Sequence, residues 1–490
     1  YTEVDTLSLH DALPIYIFME INKFYIDGNF VEPDGSEKID IVNPATEGVV
    51  GHVISGSDKD VNIAVAAANK AFPEAMALAL EQKKKILEEI IAGMEERRED
   101  FAQIISEEMG SPIKMARKAQ YGAGVIHFKN TLSVIDKFDF NEVHGNITIN
   151  KLPIGPVGMI TPWNWPLNQM CTKIASAIAA GTSCVLKPSE ITPGAAHIFA
   201  EVIDKTSMPK GMFNLIHGLG VTVGKAMSSH SDLEMISFTG STRAGIDIQK
   251  SAADNIKRVS LELGGKSPNI ILEDVDLENA VTMGMKQCFL NTGQSCSSPT
   301  RMLLPEHMLD EATKYAVAAA NDMSTGDPLD EEIYLGPISN KTQYEKVQNL
   351  IQKGIDEGAT LACGGTGRPD GLEKGFFVKP TVFTNVNNNM TIAREEIFGP
   401  VICLIPYSDV EQAIEIANDS EYGLSSMISC SDEVKGQEIA KRIRTGQVIL
   451  NRISRGDYPA PFGGFKMSGN GREHGLFGID EYLEVQAVIT

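Results

Sequence analysis

One cysteine of this chain lies in a segment suited to reactive thiol chemistry. Cys296 belongs to the polar, glycine-containing stretch 291–301, where backbone amides can come close to a ligand. The thiolate is the nucleophilic form of cysteine, and amide donors or a helix N-terminus lower its pKa. A cysteine is otherwise most often a small buried apolar residue. We assign that role to the other six, which are Cys171, Cys184, Cys288, Cys363, Cys403 and Cys430.

A carboxylate and an amide supply the other groups that thiol attack on a carbonyl requires. Glu262 follows a β-like run and precedes a Gly-Gly turn, where its carboxylate can activate water. Asn164 lies between the only two tryptophans, Trp163 and Trp165, and its amide can stabilise an oxyanion together with the backbone N–H of Cys296. The alternatives are a surface glutamate at a strand end and two tryptophans used for packing.

Two glycine turns after predicted strands are candidates for phosphate binding. Gly220 and Gly224 belong to a Gly-x-Gly-x-x-x-Gly segment, which is one residue longer than the usual dinucleotide fingerprint. Gly240 and Ser241 open a predicted helix whose N-terminal amides can hold a pyrophosphate. Lys187 and Glu190 follow another strand, from which both can reach ribose hydroxyls. Each segment can also be an ordinary strand-to-helix turn.

The surrounding elements alternate between short strands and helices. Apolar residues at helical spacing predict a helical block from Asp58 to Met109, which Gly110 and Pro112 end. Strand–helix alternation begins at Val157, and a second series begins near Asn269. This alternation predicts an α/β fold with two doubly wound α/β domains. Two ribbons at 138–151 and 482–490 predict a small antiparallel oligomerisation arm, since bare edge strands invite pairing.

Composition and charge exclude several classes of protein. The 490 residues have ordinary globular composition, and the net charge of −22 argues against nucleic acid or an anionic membrane surface as partners. No apolar run approaches the roughly 18 residues of a membrane span. Seven widely spaced cysteines predict a reducing, cytoplasmic location, and the lack of CxxC and HExxH motifs argues against a metal site. Residues 1–18 are interpreted as a non-native or disordered leader, with Met19 as the start.

Together these motifs resemble the NAD(P)-dependent aldehyde dehydrogenases. The resemblance extends from about Phe24 to Val488, and Glu-Leu-Gly-Gly-Lys-Ser-Pro precedes the cysteine motif at the family's distance. It implies Cys296 as nucleophile, Asn164 in the oxyanion hole and Glu262 as general base, with Glu473 near a proton path. The implied cofactor positions are Thr161, Trp163, Lys187, Glu190, Gly220, Gly224, Gly240, Ser241, Gly264, Glu396 and Phe398.

The resemblance also implies a reaction and a domain plan. An aldehyde becomes a thiohemiacetal and then a thioester, which water hydrolyses to the acid; Glu262 favours water over coenzyme A as acceptor. Glu190 favours NAD, with NADP possible. The implied plan is a Rossmann-like NAD-binding domain of 19–128 and 151–263, a catalytic domain of 264–467, and an oligomerisation arm of 129–150 and 478–490 in a homodimer or homotetramer.

The sequence and the resemblance leave two classes of aldehyde substrate open. The resemblance implies that Trp165, Ser295, Ser297, Arg455 and Phe462 line the aldehyde tunnel. The charge of Arg455 favours a semialdehyde that carries a carboxylate, whereas a solvated arginine leaves an aliphatic aldehyde. The competing functions are a thiol esterase or hydrolase, which would need a histidine partner, and an inactive structural member of the same fold.

Overall fold

The computed structural model describes residues 18–452 and 459–490, and two seven-stranded sheets dominate it. The strands of this part of the chain are β1 Met19–Ile21, β2 Phe24–Ile26, β3 Asn29–Val31, β4 Glu37–Asn43, β5 Gly48–Ser55, β6 Asn141–His144, β7 Ile147–Pro153, β8 Val157–Ile160, β9 Cys184–Lys187, β10 Phe213–Leu215, β11 Met235–Thr239, β12 Arg258–Glu262, β13 Pro268–Ile271, β14 Arg301–Pro305, β15 Thr360–Cys363, β16 Thr381–Thr384, β17 Val401–Tyr407, β18 Ser425–Ser429, β19 Gln447–Leu450 and β20 Leu483–Ile489.

The α-helices of the described residues connect these strands. They are α1 Asp58–Met76, α2 Leu80–Glu96, α3 Arg98–Met109, α4 Ile113–Met115, α5 Tyr121–Ile135, α6 Pro166–Ala180, α7 Gly194–Ile203, α8 Lys225–Ser229, α9 Thr242–Ala253, α10 Leu277–Phe289, α11 Leu309–Asn321, α12 Lys341–Asp356, α13 Thr391–Arg394, α14 Val410–Asn418, α15 Glu433–Ala440 and α16 Gly475–Glu481.

The helical block predicted from Asp58 to Met109 consists of three helices, α1 to α3. Ala79 is extended (φ −64°, ψ 154°), and Arg97 leaves helical geometry (φ −104°, ψ 16°), so the chain breaks before α2 and before α3. The spacing of apolar residues alone does not reveal such short interruptions between helices. The predicted end at Gly110 is confirmed, because this residue closes α3 in the left-handed conformation (φ 78°).

The first large sheet has the order β12-β11-β8-β9-β10-β2-β3. Its first five strands are parallel, and β2 and β3 add an antiparallel edge. Successive residues such as Met159 and Ile160 pack into separate apolar clusters on opposite faces. Strand order reverses between β8 and β11, and ligands of doubly wound sheets bind beyond the carboxyl ends at such a reversal. The loop 161–165 and the turn at Gly240 both begin there.

The second large sheet has the order β15-β16-β17-β14-β13-β18-β19, and all its pairings except β15–β16 are parallel. Apolar clusters cover both of its faces. The predicted fold class, two doubly wound α/β units, is therefore confirmed. The segment that carries Cys296 lies between α10 and β14, so this sheet positions the thiol.

Two smaller sheets complete the described chain. Strands β20, β7 and β6 form the predicted antiparallel ribbon, with β7 in the centre. A three-stranded sheet of β1, β5 and β4 was not expected from the sequence. The predicted limits at residues 128, 150 and 478 fall inside α5, β7 and α16, while the limit at 263 falls between β12 and β13. The division of the chain into these domains stays a prediction.

The described residues contain no helix long and apolar enough to cross a membrane. Nor do they contain a group of three His, Cys, Asp or Glu side chains arranged to hold a metal ion.

Candidate active site

A kinked loop presents the Cys296 thiol. After α10, Asn291 and Thr292 adopt left-handed backbone angles (φ 57° and 56°), which turn the chain sharply. A Cβ at Gly293 would lie 2.1 Å from the carbonyl oxygen of Gly399, so only glycine permits this close approach. Cys296 emerges partly exposed. By contrast, burial raises the thiol pKa of the other six cysteines, which keeps them in the unreactive form.

A network of buried amides fixes Asn164 beside that loop. The Asn164 side chain donates from Nδ2 to the Gln294 carbonyl oxygen at 2.9 Å. The Asn164 carbonyl in turn accepts from Asn291 Nδ2 at 2.9 Å and from Gln120 Nε2 at 3.0 Å. One amide hydrogen of Asn164 is thus used for positioning, and the second can serve an oxyanion.

Sequence reasoning missed the supporting amides. Asn291 and Gln294 lie in the cysteine segment itself. Two amide side chains so close to a candidate nucleophile could have indicated a hydrogen-bond network around it. Gln120 ends a π-helical turn, Ala116–Gln120, in another part of the chain. Only the tertiary fold brings Gln120 to Asn164.

Glu262 ends β12 as a buried carboxyl group, with 1 % of its surface exposed. Burial raises its pKa well above the ordinary value, and the nearby charge of Glu473 raises it further. Neither oxygen accepts a hydrogen bond from the described residues. Gly463 and Gly471 lie against this carboxyl group, because Cβ atoms there would come within 2.8 and 3.2 Å of Oε1. The group is therefore suited to accept a proton from water.

A buried ion pair lies behind Glu262. Lys173 Nζ approaches Glu473 Oε1 to 2.6 Å, and their side chains are 1 % and 7 % exposed. Lys173 also donates to Ser237 Oγ at 2.9 Å. The predicted residue Glu473 thus has a partner that the sequence prediction did not include. The available signal was a lone charge in α6, which is otherwise uncharged.

A cavity of about 150 Å³ joins several predicted cofactor residues to the thiol. Its lining includes Trp163, Asn164, Gly240, Ser241, Glu262, Gly264, Cys296, Glu396 and Phe398. Trp163 meets Phe398 edge to face, with ring centroids 5.4 Å apart. Gln343 and Lys346 also line this cavity, and the sequence had not indicated either of them. Gln343 Nε2 holds the Phe398 carbonyl at 3.1 Å.

The turn at Gly264 forms a cradle for Glu396. A Cβ on Gly264 would lie 2.6 Å from Glu396 Oε2, while the backbone N–H of Gly265 donates to Oε1 at 3.0 Å. Ser241 caps α9 by accepting from Ala244 N at 3.3 Å. A carboxylate for ribose hydroxyls and a helix N-terminus for phosphates are groups that suit a dinucleotide.

The remaining predicted cofactor residues lie along the same sheet edge but outside this cavity. Thr161 N donates to the Lys187 carbonyl at 3.1 Å, and Lys187 Nζ lies 3.3 Å from Glu190 Oε2. Gly220 and Gly224 bound a π-helical turn rather than a simple loop. A Cβ on Gly224 would come within 4.0 Å of Lys187, so this turn adjoins the ion pair. These residues therefore form a second group, apart from the cavity that Cys296 borders.

A second cavity, of about 410 Å³, reaches Cys296 from another side. The predicted tunnel residues Trp165, Ser295, Ser297 and Phe462 line it, together with Glu473. Trp165 Nε1 donates to Ser295 Oγ at 2.8 Å, which ties the tryptophan to the cysteine loop. Arg455 lies outside the described residues. Cys296 borders both cavities, so a carbonyl carbon at its sulfur can be reached from each.

Comparison with known proteins agrees with this geometry. Residues 30–488 match the sequence profile of the aldehyde dehydrogenase family. The chain belongs to this family. A 3-succinoylsemialdehyde-pyridine dehydrogenase from a Pseudomonas species is 47% identical over 471 residues, which are 96% of this chain and 98% of that protein.

Solved structures of other aldehyde dehydrogenases share the whole architecture. A mutant of aldehyde dehydrogenase C from Pseudomonas syringae, in complex with NAD⁺ and octanal, is 48% identical with a TM-score of 0.94 over 96% of each chain. The NAD⁺ complex of an aldehyde dehydrogenase from Bacillus cereus is 37% identical with a TM-score of 0.92, again over 96% of each chain. The family and its oxidoreductase chemistry, predicted from the motifs, are thereby confirmed.

Proposed function

We propose that this aldehyde dehydrogenase uses Cys296 as nucleophile to oxidise its aldehyde to a carboxylic acid, with NAD⁺ as electron acceptor and water as acyl acceptor. The observation that carries the proposal is the position of Cys296, which borders both the cavity of cofactor-type residues and the cavity of predicted tunnel residues. A sulfur at this junction can hold the aldehyde carbon first next to NAD⁺ and then next to water.

The first half of the reaction needs a nucleophile and an oxyanion site. The Cys296 sulfur attacks the aldehyde carbon, and negative charge develops on the carbonyl oxygen. The second Asn164 amide hydrogen and the Cys296 backbone N–H stabilise that charge, and one such donor contributes about 3 to 4 kcal/mol. The amide network around Asn164 holds the donor in place before the charge forms.

The cofactor residues fit NAD⁺. When bound, NAD⁺ supplies the acceptor for the two electrons and the hydrogen that leave the substrate carbon. Glu396, Phe398 and Trp163 are proposed to hold its nicotinamide end, and Lys187 and Glu190 its adenosine ribose. The NAD⁺ complexes of the relatives from P. syringae and B. cereus support this choice. The acid at Glu190 favours NAD over NADP, because a carboxylate repels a 2′-phosphate.

The second half of the reaction releases the acid. Ionised Glu262 takes a proton from water, the resulting hydroxide attacks the thioester carbon, and the Cys296 thiolate leaves. The elevated pKa of Glu262 makes it a stronger base than an ordinary carboxylate. Lys173 and Glu473 lie behind Glu262 and are proposed to carry its proton onward.

The relatives do not fix the substrate. One relative acts on 3-succinoylsemialdehyde-pyridine, and another was crystallised with octanal, at nearly equal identity to this chain. A broad-specificity reaction on aliphatic aldehydes and a reaction on a carboxylate-bearing semialdehyde both stay within the proposal.

We also propose a homodimer or homotetramer in the cytoplasm. Val143, Val485 and Ile489 of the β20-β7-β6 sheet are 71%, 68% and 72% exposed, and apolar edge strands of this kind commonly pair with another copy. No two of the cysteines form a disulfide in the described chain, which agrees with a reducing compartment. Sedimentation analysis of the protein tests the assembly.

Absorbance at 340 nm tests the proposed function. Protein, NAD⁺ and a panel of aldehydes should produce NADH and acid in equal amounts, and a Cys296→Ser variant should produce almost none. Ester cleavage without NADH formation would favour the thiol hydrolase. Absence of both reactions would favour an inactive member of the family.

A further inference from the structure

One short segment joins the Glu262 carboxyl group to a carboxyl group nearer the surface. A Cβ on Gly471 would lie 3.2 Å from Glu262 Oε1. The next residue, Arg472, donates from its backbone N–H to Glu481 Oε2 at 3.4 Å. Glu473 follows and carries a carboxyl group of its own. Three carboxyl groups therefore belong to, or border, three consecutive residues.

Exposure to solvent increases along these three carboxyl groups. Glu262 is 1% exposed, Glu473 is 6% exposed, and Glu481, the last residue of α16, is partly exposed. Bound aldehyde and cofactor would fill the two cavities that meet at Cys296, so a proton on Glu262 needs another way to solvent. Glu481 is the member of the series that reaches solvent.

The Glu481 carboxyl group forms no ion pair within the described residues. Arg258 donates to the backbone carbonyl of Glu481 at 3.0 Å rather than to its carboxyl group. Burial raises the pKa of Glu481, and the nearby charge of Glu473 adds to this rise. Hydrogen bonds from the Ser260 hydroxyl and the Arg472 backbone counter part of it. Buried carboxyl groups with a structural role are ordinarily paired, whereas an unpaired group is suited to take up and release a proton.

The sheet face behind Glu262 is polar along the same direction. Ser260 precedes Glu262 by two residues on β12, so both side chains point to one face. Ser237, on β11, pairs directly with Ser260. The Ser237 hydroxyl accepts from Lys173 Nζ at 2.9 Å and from Tyr482 OH at 3.2 Å. Each of these side chains is buried, so a continuous polar interior connects Glu262 with the region of Glu481.

We infer that Glu481 is the outer carboxyl group through which the proton taken up by Glu262 leaves the protein. Ionised Glu473 takes the proton from neutral Glu262, and ionised Glu481 takes it from Glu473. Glu481 then gives the proton to a base in solvent, so one proton leaves for each thioester hydrolysed and all three groups return to their ionised form. Each transfer needs hydrogen-bond reach or one bridging water. The inference rests on the proposed function, because it assumes that Glu262 is the base of acid release.

The test is the rate of acid release in Glu481→Gln, followed by rapid quench at constant pH and ionic strength. Glutamine keeps the shape and can accept from the Arg472 N–H, but it cannot carry the proton. In dilute buffer the rate should fall about tenfold, a small part of what a positioned proton acceptor contributes. Added imidazole should restore it to within about twofold of wild type, because a soluble base replaces the missing carboxylate. The NADH burst should not change.

Asp480→Asn is the matched control. Asp480 is the exposed neighbour of Glu481, and its carboxylate lies 3.4 Å from Lys151 Nζ. This variant should release acid at the wild-type rate, with or without imidazole. If thermal unfolding shows that Glu481→Gln does not fold, Glu481→Ala also removes the carboxyl group and carries the same expectation.

Two results would overturn the inference. One is acid release at the wild-type rate by Glu481→Gln in dilute buffer. The other is a slower rate that imidazole does not restore, which is the result expected of a purely structural role. Failure of the proposed function looks different, because the wild-type protein would then form no NADH burst with any aldehyde.

Discussion

Replacement of Asn164 by alanine separates the chemical role of this residue from its structural role. The variant removes one oxyanion donor, and loss of such a donor lowers kcat by about 10² to 10³, or about 3 to 4 kcal/mol. The structural cost is smaller. The Gln294 carbonyl loses the 2.9 Å bond from Asn164 but keeps a donor in Asn291 Nδ2 at 3.3 Å, and the Asn164 backbone carbonyl keeps both of its partners. We expect the free energy of unfolding to fall by about 1 kcal/mol.

Stopped-flow formation of NADH in the first turnover is the assay, because it reports attack and oxidation before acid release. With saturating NAD⁺, the burst rate constant of Asn164→Ala should fall by about 10² to 10³, while denaturant unfolding reports the small stability change. Asn164→Asp is the matched control. It keeps the shape but replaces the donor with a negative charge, so it should be at least as slow as the alanine variant. A burst within about fivefold of wild type in Asn164→Ala would refute the oxyanion role.

Three further predictions concern charged groups of the proposed catalytic and cofactor sites. Glu262→Gln should keep the NADH burst but stop turnover. In wild type, the rate of acid release should fall as the pH is lowered, and this fall should begin above the ordinary carboxyl range, because a raised pKa keeps Glu262 protonated to higher pH. Lys173→Met removes a positive charge that lowers the Glu262 pKa, so the pH at which acid release slows should move to a higher value. The same variant should lower the free energy of unfolding by about 3 to 5 kcal/mol, because it leaves the buried Glu473 unpaired. Glu190→Gln should raise kcat/KM for NADP by about tenfold and change that for NAD little, as measured in parallel titrations; an unchanged NADP value would remove the argument from charge.

Candidate residues could be proposed from the sequence where their types are unusual for a purely structural role. Glu262 and Asn164 lie at or after the carboxyl ends of parallel strands of the first sheet, and Cys296 lies in a polar, glycine-containing loop before β14 of the second. The alternation of strands and helices also determined the fold class. Both predictions depend on local sequence, so no knowledge of distant contacts was needed.

Groups that act through distant partners were not predictable in the same way. Lys173 and Glu473 are 300 residues apart, and Gln120 lies 44 residues from Asn164, so their contacts exist only in the tertiary fold. The small sheet of β1, β5 and β4 was missed for a related reason, since a three-residue strand such as β1 shows too few alternations for a period to be recognised.

Trapping of the acyl enzyme tests the central claim most directly. The Glu262→Gln variant should be mixed with NAD⁺ and an aldehyde, quenched in acid, digested and measured by mass spectrometry. The account predicts the mass of the acyl group on the peptide that contains Cys296, in an amount equal to the NADH burst. An NADH burst with that peptide unmodified, or with the acyl group on another cysteine, would contradict it.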